Sequence, residues 1–325
     1  MNILVKTRNC LVLLGIGCLI SACTESDAPV TSPEEPPSVS SESQAASSPE
    51  NQGIDTPNEL TWTGCDISKK AYITDLVAAY TEDTGVLVSV KGGGATRGIR
   101  TVAGKSSDIG GTCRHSLQNQ FPEAEGNIVH THVAWDALVF FTHPDNPVSN
   151  ISSDMARKVL QGDIRNWSNL GGPDALILPA FRQQTVMGKL SGVGYMTRLL
   201  LFEDPDVEYT SDAIFHTSSG PIEKYIESTS LSFAVTGVSS ARKRNVKILS
   251  LDGVAATKEN IASGAYGLYR PLYLVAHESP SAGARDFLKW VLSAEGQDHI
   301  STSGTVNLSQ GAALVDVYKH WPENM

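Results

Sequence analysis

A strand, a glycine turn and a helix follow one another in the stretch Val86-Leu87-Val88-Ser89-Val90-Lys91-Gly92-Gly93-Gly94-Ala95-Thr96-Arg97-Gly98-Ile99. The run that begins at Val86 is rich in β-branched residues, which favours a strand, and the glycines end it. Glycines let a ligand approach the backbone closely, and the free N–H groups and dipole at a helix start favour an anion. The stretch therefore predicts a strand-turn-helix unit and a candidate anion site together.

The same design occurs at two other places in the chain. Glycine-rich turns come between a predicted strand and a predicted helix at Gly64-Cys65-Asp66-Ile67-Ser68 and at Gly188-Lys189-Leu190-Ser191-Gly192-Val193-Gly194. Arg114 and Arg182 stand at the ends of further predicted strands. A strongly apolar run predicts a strand over 136–143, and helices are predicted over 153–160 and 221–227. Strands that alternate with helices indicate an α/β architecture, in which the ligand lies beyond the carboxyl ends of the strands.

Length and charge narrow the functional classes. The chain has 325 residues, enough for about two domains, and its 35 acidic against 25 basic residues leave a formal net charge of −10. This balance argues against binding to duplex nucleic acid and against adhesion to anionic lipid, whereas a small anion held by local donors remains compatible. A Walker loop and a Gly-x-Ser-x-Gly elbow are both missing from the sequence, which favours a protein that is not an enzyme.

Residues 1–22 predict a lipoprotein signal peptide. Lys6 and Arg8 precede an apolar run that is too short to span a bilayer comfortably. The run ends at Leu19-Ile20-Ser21-Ala22-Cys23, which resembles the lipobox of bacterial lipoproteins and implies cleavage before Cys23 and lipidation of its sulfur. Two or more acyl chains would hold the protein stably at a membrane. A plain secretory signal or an uncleaved anchor helix would also fit this pattern.

Residues 23–57 predict a disordered acidic tether rich in serine and proline. Residues 24–57 contain seven acids, no Lys or Arg, and no periodic apolar pattern. Such a segment behaves as a flexible linker, so the folded part is expected to begin near Leu60. Thr24 stands where an aspartate is the usual cue for retention in the inner membrane of bacteria. We therefore predict a periplasmic protein that is lipid-anchored, in the outer rather than the inner membrane.

The cysteines of the folded part leave three interpretations open. Cys10 and Cys18 would leave with the signal peptide, and Cys23 would carry the lipid, so Cys65 and Cys113 remain. In an oxidising compartment this pair could form a disulfide, stay as two separate thiols, or ligate a metal. Spacing alone does not decide whether the two Cα atoms lie within bonding range.

Further motifs follow in a fixed order along the folded part: Ser107-Asp108-Ile109-Gly110-Gly111-Thr112-Cys113-Arg114, Trp135-Asp136-Ala137-Leu138-Val139, Pro144-Asp145-Asn146-Pro147-Val148, Gly162-Asp163-Ile164-Arg165-Asn166-Trp167, Asp252-Gly253-Val254, Tyr269-Arg270-Pro271-Leu272-Tyr273-Leu274-Val275 and Ser293-Ala294-Glu295-Gly296-Gln297. With the glycine stretch quoted first, their order and spacing resemble the PstS-like substrate-binding proteins of bacterial phosphate ABC transporters. These belong to the periplasmic-binding-protein family. The resemblance covers nearly all of residues 58–313.

The resemblance implies a type II fold of two α/β lobes with the ligand in the cleft between them. One lobe would combine residues 58–140 and 272–325, and the other would be 141–271, with crossovers near 139–142 and 272–276. A hinge motion would close the cleft. The implied function is capture of an inorganic oxyanion, phosphate above all, by a monomer that delivers it to an ABC permease in the inner membrane. This role needs no cofactor, no metal and no catalytic residue.

The resemblance also implies a set of ligand contacts: Cys65, Asp66, Ile67, Gly94, Ala95, Thr96, Thr112, Cys113, Arg114, Arg182, Ser191, Gly192 and Val193. Either Asp66 or Asp136 would accept the proton of hydrogen phosphate, which would reject an aprotic dianion.

This chain departs from the family pattern at four of these positions. Val193 and Gly94 stand where a hydroxyl residue is common, and Cys65 and Cys113 replace residues such as serine. Each lost donor to a buried anion would cost about 1.5–3 kcal/mol. The ligand could therefore be another oxyanion or a phosphonate. The sequence is also compatible with a ligand-sensing signalling subunit, and with a redox or metal protein built on the two cysteines.

Overall fold

The computed structural model describes residues 59–182, 185–186 and 189–321. The predicted signal peptide, the lipidation site Cys23 and the tether lie outside these residues. Within them, every helix is too short or too polar to cross a membrane.

The strands are β1 (Glu59–Gly64), β2 (Leu87–Gly92), β3 (Ile109–Thr112), β4 (Ile128–Thr142), β5 (Asn150–Ile151), β6 (Leu178–Arg182), β7 (Thr185–Val186), β8 (Lys189–Leu190), β9 (Ile214–His216), β10 (Ser232–Gly237), β11 (Lys247–Ile248), β12 (Ser250–Leu251), β13 (Tyr269–His277) and β14 (Val306–Asn307). In the described part of the chain, a ten-stranded mixed sheet has the main order β2-β1-β3-β13-β4-β10-β6-β9, with β11 and β14 added to β4. The short pairs β5-β12 and β7-β8 stand apart from it.

The helices are α1 (Asp66–Ser68), α2 (Thr74–Thr84), α3 (Ala95–Ala103), α4 (Pro122–Glu125), α5 (Ser153–Gln161), α6 (Gly192–Phe202), α7 (Ser219–Ser228), α8 (Val238–Ala241), α9 (Lys258–Ala262), α10 (Ala282–Val291) and α11 (Ala294–Thr302). A π-helical segment, Lys69–Ile73, joins α1 to α2. Serine and threonine side chains cap several N-termini; Ser152, for example, accepts a hydrogen bond from the backbone N–H of Met155 and starts α5 where the sequence predicts a helix.

The long strand β4 joins two half-sheets. Its residues 128–137 pair with β13, and its residues 138–142 pair with β10. We call β2-β1-β3-β13 with the first part of β4 the first half-sheet, and β10-β6-β9 with the last part of β4 the second half-sheet. This arrangement confirms the predicted α/β, two-lobe fold, while the exact lobe boundaries stay a prediction. The sequence indicated a strand only from Asp136, because the preceding residues include polar side chains such as His130 and His132.

Both half-sheets point the carboxyl ends of their parallel strands toward the middle of β4. β1, β2 and β3 are parallel to one another, as are β10, β6 and β9. The last residue of β3, Thr112, pairs with Tyr273, which lies opposite His132 of β4. The last residue of β10, Gly237, pairs with Leu138 of β4. The turns that follow these strands therefore converge near the centre of β4.

Close packing brings the start of α3 to this centre. A Cβ atom at Gly98 would lie 2.5 Å from the carbonyl oxygen of Gly111 and 3.0 Å from the Cα of Gly64. Only glycine lets α3 rest so closely on β1 and β3. Gly94, with φ +90°, adopts a conformation that side chains rarely tolerate, and it caps the helix. The buried tryptophans Trp62 and Trp135 fill the core of the first half.

Candidate functional site

A small cavity lies where the turns of the two half-sheets meet. Its walls contain the first residues of α1, α3, α6 and α7, whose N-termini all face it: Cys65, Asp66, Ile67, Gly94, Ala95, Cys113, Arg182, Ser191, Gly192, Val193 and Ser219. The first N–H groups of a helix have no partner inside the helix, and the helix dipole adds positive potential there. The cavity is therefore suited to a small anion.

Arg182 and the start of α6 form the wall contributed by the second half-sheet. The hydroxyl of Ser191 accepts hydrogen bonds from Nε of Arg182 and from the backbone N–H of Gly194, each at 3.1 Å. Ser191 thus caps α6 and holds the guanidinium beside it. Burial lowers the pKa of Arg182, and the nearby Cys65, Cys113 and Asp66 oppose that effect. A guanidinium stays charged at neutral pH, so Arg182 brings a cation to the cavity.

Two contacts hold the half-sheets together across the cleft. The hydroxyl of Thr96 in α3 donates to the carbonyl oxygen of Leu190 at 2.7 Å and accepts from the backbone N–H of the same residue at 3.0 Å. Nζ of Lys70 lies 2.7 Å from the carboxylate of Glu223, which is fully buried in α7. The two lobes are thus in direct contact beside the cavity.

The two cysteines of the folded part meet in the wall of the cavity. Cys65 and Cys113 are free thiols whose Sγ atoms are 3.0 Å apart. Their exposed fractions are 4% and 1%. The hydrogen bond from Cys65 is the main cause that lowers the pKa of Cys113 to about 6, against the effect of burial and with help from Arg270. The same hydrogen bond, together with burial, raises the pKa of Cys65.

Ten of the predicted contact residues line the cavity, whereas Thr96, Thr112, Arg114 and Asp136 do not. Arg114 is fully buried, and its two terminal nitrogens donate to both carboxylate oxygens of Glu125 at 2.9 Å. Arg114 also donates to the hydroxyl of Thr96 at 2.8 Å, and the hydroxyl of Thr112 donates to the carbonyl oxygen of Arg114. Because its charge is already paired with Glu125, Arg114 is not available to bind an anion. Its hydrogen bond to Thr96 instead positions the start of α3.

Asp136 is committed to a buried network beside the cavity. One of its oxygens accepts from the hydroxyl of Ser239 at 2.8 Å, and the other lies 3.2 Å from Nη2 of Arg270. Both Asp136 and Arg270 are buried at the point where β4 passes from β13 to β10. Of the two acids that the sequence left open as proton acceptors, only Asp66 lines the cavity.

Ser219 is a wall residue that the sequence analysis missed. It is the first residue of α7 and follows β9 by a short turn, Thr217-Ser218. The signal was present, since a strand, a turn rich in hydroxyl residues and a predicted helix occur there as in the other turns. The low glycine content of this turn hid the similarity.

A larger hollow lies at the outer edge of the second half-sheet. Most of its lining is apolar, for example Leu176, Leu178 and Ile214. Its arginine, Arg165, is paired at 2.6 Å with Asp212, so this hollow lacks the unpaired donors that an anion needs. In the ranges that the structure describes, three or more His, Cys, Asp or Glu residues do not gather anywhere in a way that could hold a metal ion.

Comparisons with known proteins agree with this geometry. The model of the PBP superfamily domain matches residues 63–295. A phosphate-binding protein PstS of Borreliella burgdorferi is 29% identical over 194 residues, which cover 57% of this chain and 68% of that protein. The PstS of Bacillus subtilis is 26% identical over 215 residues, 66% of this chain and 69% of that protein.

The fold is also found among solved structures. A putative phosphate ABC transporter substrate-binding protein from Clostridium perfringens, solved with bound phosphate, has a TM-score of 0.69 at 22% identity. The alignment covers 77% of this chain and 99% of that one. At this identity the likeness concerns the fold, and it agrees with the α/β halves around a cleft. Since the family model matches well over half of the sequence, this chain belongs to the PBP superfamily.

Proposed function

We propose that this protein is a non-enzymatic solute-binding protein that captures inorganic phosphate and delivers it to an ABC permease. The observation that carries the proposal is the convergence of four helix N-termini and Arg182 on one small cavity between the half-sheets. A buried tetrahedral anion needs many donors, and hydrogen bonds to a charged group contribute about 1.5–3 kcal/mol each. Relatives that are named phosphate-binding proteins support phosphate as the anion.

Asp66 supplies a basis for specificity. Asp66 is the acidic residue among those that line the cavity, and we propose that its carboxylate accepts the remaining proton of hydrogen phosphate. Sulfate has no proton at neutral pH, and two facing anions would repel each other. The cavity should therefore prefer phosphate over sulfate although the two ions have similar size and shape.

Closure follows from contacts that reach across the cleft. Thr96 bonds to Leu190 and Lys70 pairs with Glu223 only when the half-sheets come together. An anion that binds the N-termini of α1 and α3 on one side and of α6 and α7 on the other adds a further link. The ligand thus shifts the protein toward the closed form, which a permease can distinguish from the open form.

The replacement Arg182→Ala tests this proposal. We expect it to abolish the rise in melting temperature that phosphate causes, because the anion loses the cation in its wall. Arg165→Ala is the matched control, since Arg165 is exposed and pairs with Asp212 at the surface. Calorimetric titration of both variants with phosphate, and with sulfate for comparison, gives the affinities. Binding by Arg182→Ala that equals the wild type would remove Arg182 from the site, and wild-type protein that ignores phosphate would refute the ligand.

We further propose that the mature protein is held at a membrane on the periplasmic side by lipid on Cys23. The support is the lipobox-like sequence that ends at Cys23 and the flexible composition of residues 24–57. Cys23→Ser should release the protein into the soluble fraction after cell lysis, with Ser21→Ala as a control that leaves the lipidated sulfur in place. Continued sedimentation of Cys23→Ser with membranes would contradict the anchor.

A further inference from the structure

The wall of the anion cavity contains a pair of thiols whose position follows from the sheet. β1 and β3 are parallel neighbours, and Gly64 lies opposite Gly111. Cys65 directly follows β1 and Cys113 directly follows β3, so the strand pairing delivers both side chains to the same place. Their Sγ atoms are 3.0 Å apart, and both residues line the cavity. A movement of about 1 Å would bring them to the ~2.05 Å of a disulfide bond.

Two buried guanidinium groups, those of Arg270 and Arg114, act on the pair. Arg270 is fully buried, and its Nε and Nη1 atoms have no hydrogen-bond partner among the described residues. The hydrogen bond from Cys65 is the main cause that lowers the pKa of Cys113, and the positive charges of Arg270 and Arg114 lower it further, whereas burial and Asp136 act in the opposite direction. Cys113 is thus held as a thiolate beside a protonated Cys65.

We infer that Cys65 and Cys113 form a redox modification site, in which an intramolecular disulfide made by exchange with a small organic disulfide raises the affinity of the adjoining cavity for its anion. The inference rests on the proposed function, since it concerns regulation of the same cavity. The Cys113 thiolate attacks the oxidant R–S–S–R, forms a mixed disulfide and releases one R–S⁻. Cys65 then loses its proton, attacks the sulfur of Cys113 and releases the second R–S⁻. The two protein thiols are oxidised by two electrons, and the organic disulfide is reduced to two thiols.

Charge connects the redox state to binding. In the reduced protein a thiolate occupies the wall that an anion must approach, and the two negative charges repel each other. The disulfide is neutral, so the donors at the helix starts and Arg182 then act on the anion alone. We expect oxidation to lower the Kd for phosphate about tenfold or more. By linkage, saturating phosphate should make the reduction potential of the pair more negative, by about 30 mV for a tenfold ratio of affinities.

Closure of the cleft also controls access to the thiols. A Cβ at Gly192 would lie 2.6 Å from Sγ of Cys113, so the start of α6 covers this sulfur in the closed form. Oxidation should therefore proceed through the open form, and bound phosphate should slow it even though it stabilises the oxidised product.

The experiment treats the purified full chain in detergent with oxidised or reduced glutathione. Differential alkylation and peptide mass spectrometry report the state of Cys65 and Cys113 separately from the other cysteines. Calorimetric titration with inorganic phosphate then gives the Kd of each form. The expected result is a disulfide between the two residues and a Kd at least tenfold lower in the oxidised protein. Cys113→Ser lacks the attacking thiolate and cannot form the bond, so its Kd should be the same after either treatment.

The possible failures are distinguishable. Two thiols that remain open to alkylation in oxidised glutathione overturn the modification site. A disulfide that forms with equal phosphate affinities in both forms overturns the regulatory step. Absence of phosphate binding in both forms refutes the proposed function and the coupling with it, while mass spectrometry still decides whether the bond forms. The comparison on wild-type protein needs no variant, so it holds even if Cys113→Ser fails to fold.

Discussion

Gly192→Ala should weaken phosphate binding, because it places a methyl group between the two half-sheets. The new Cβ would lie 2.6 Å from Sγ of Cys113 and 2.9 Å from Cβ of Ala95. Ordinary contacts between such atoms are about 3.5–4.0 Å. The start of α6 must therefore retreat from the first half-sheet by about 1 Å, and its N–H groups move away from the anion.

The magnitude follows from the cost of overpacking, about 1–3 kcal/mol. This cost falls on the closed form, since opening of the cleft removes the clash. At about 1.4 kcal/mol per factor of ten, the Kd for phosphate should rise about 5- to 150-fold. The free energy of unfolding without phosphate should change less, because the open form avoids the clash and alanine is favoured over glycine inside a helix by up to about 1 kcal/mol.

Calorimetric titration with phosphate measures the Kd, and urea unfolding measures the stability of the same samples. Gly220→Ala is the matched control, because Gly220 lies in the first turn of α7 and a Cβ there would meet nothing within 4 Å. Its Kd should stay within twofold of the wild type. If Gly192→Ala also binds phosphate within twofold of the wild type, the close approach of α6 to Cys113 has no part in binding.

Two further predictions concern stability. Glu125→Gln should lower the free energy of unfolding by about 3–5 kcal/mol, because it leaves the buried Arg114 without its carboxylate. The control Asp154→Asn, in the exposed pair with Lys158, should change the free energy of unfolding by less than about 1 kcal/mol. Equal urea midpoints for the two variants would contradict the role of Glu125. Burial raises the pKa of Glu125, but the hydrogen bonds and charge of Arg114 outweigh it and lower the pKa below the usual 4.5. The stability that the Glu125 carboxylate contributes is therefore present above pH 4.5 and is lost as the pH falls through the pKa of the folded protein. Burial is the main cause that lowers the pKa of His115, His130 and His132 to about 4, so the unfolded chain takes up protons below pH 6.5 that the folded protein does not. Stability should therefore fall between pH 6.5 and 4 by up to about 1.4 kcal/mol per pH unit for each histidine, and a flat urea midpoint across that window would refute the assignment.

The helix starts could be predicted from the sequence because their signals are local. A strand, a turn with glycine or hydroxyl residues and an amphipathic helix lie within about fifteen residues of one another, and backbone preferences act over that range. The start of α7 escaped notice only because Ser219 follows a turn without the run of glycines that marks α3. The strand β4 was predicted too short, since its polar first part is a strand only by pairing with β13, far away in the chain.

The sequence by itself determined the α/β class and the turns that carry free N–H groups toward a shared edge. Only the tertiary structure decided which polar side chains remain available in the cavity. Arg114 is paired with Glu125, and the hydroxyl of Thr96 is hydrogen-bonded to Leu190, so neither is free to bind an anion. Asp136 is likewise bonded to Ser239 and Arg270. Arg182, in contrast, is held at the cavity wall by its hydrogen bond to Ser191. The physical reason is that a donor or acceptor is used up by whichever partner folding brings within about 3 Å of it. For Thr96 and Asp136 that partner is about a hundred residues away in the chain, where local patterns carry no information about it.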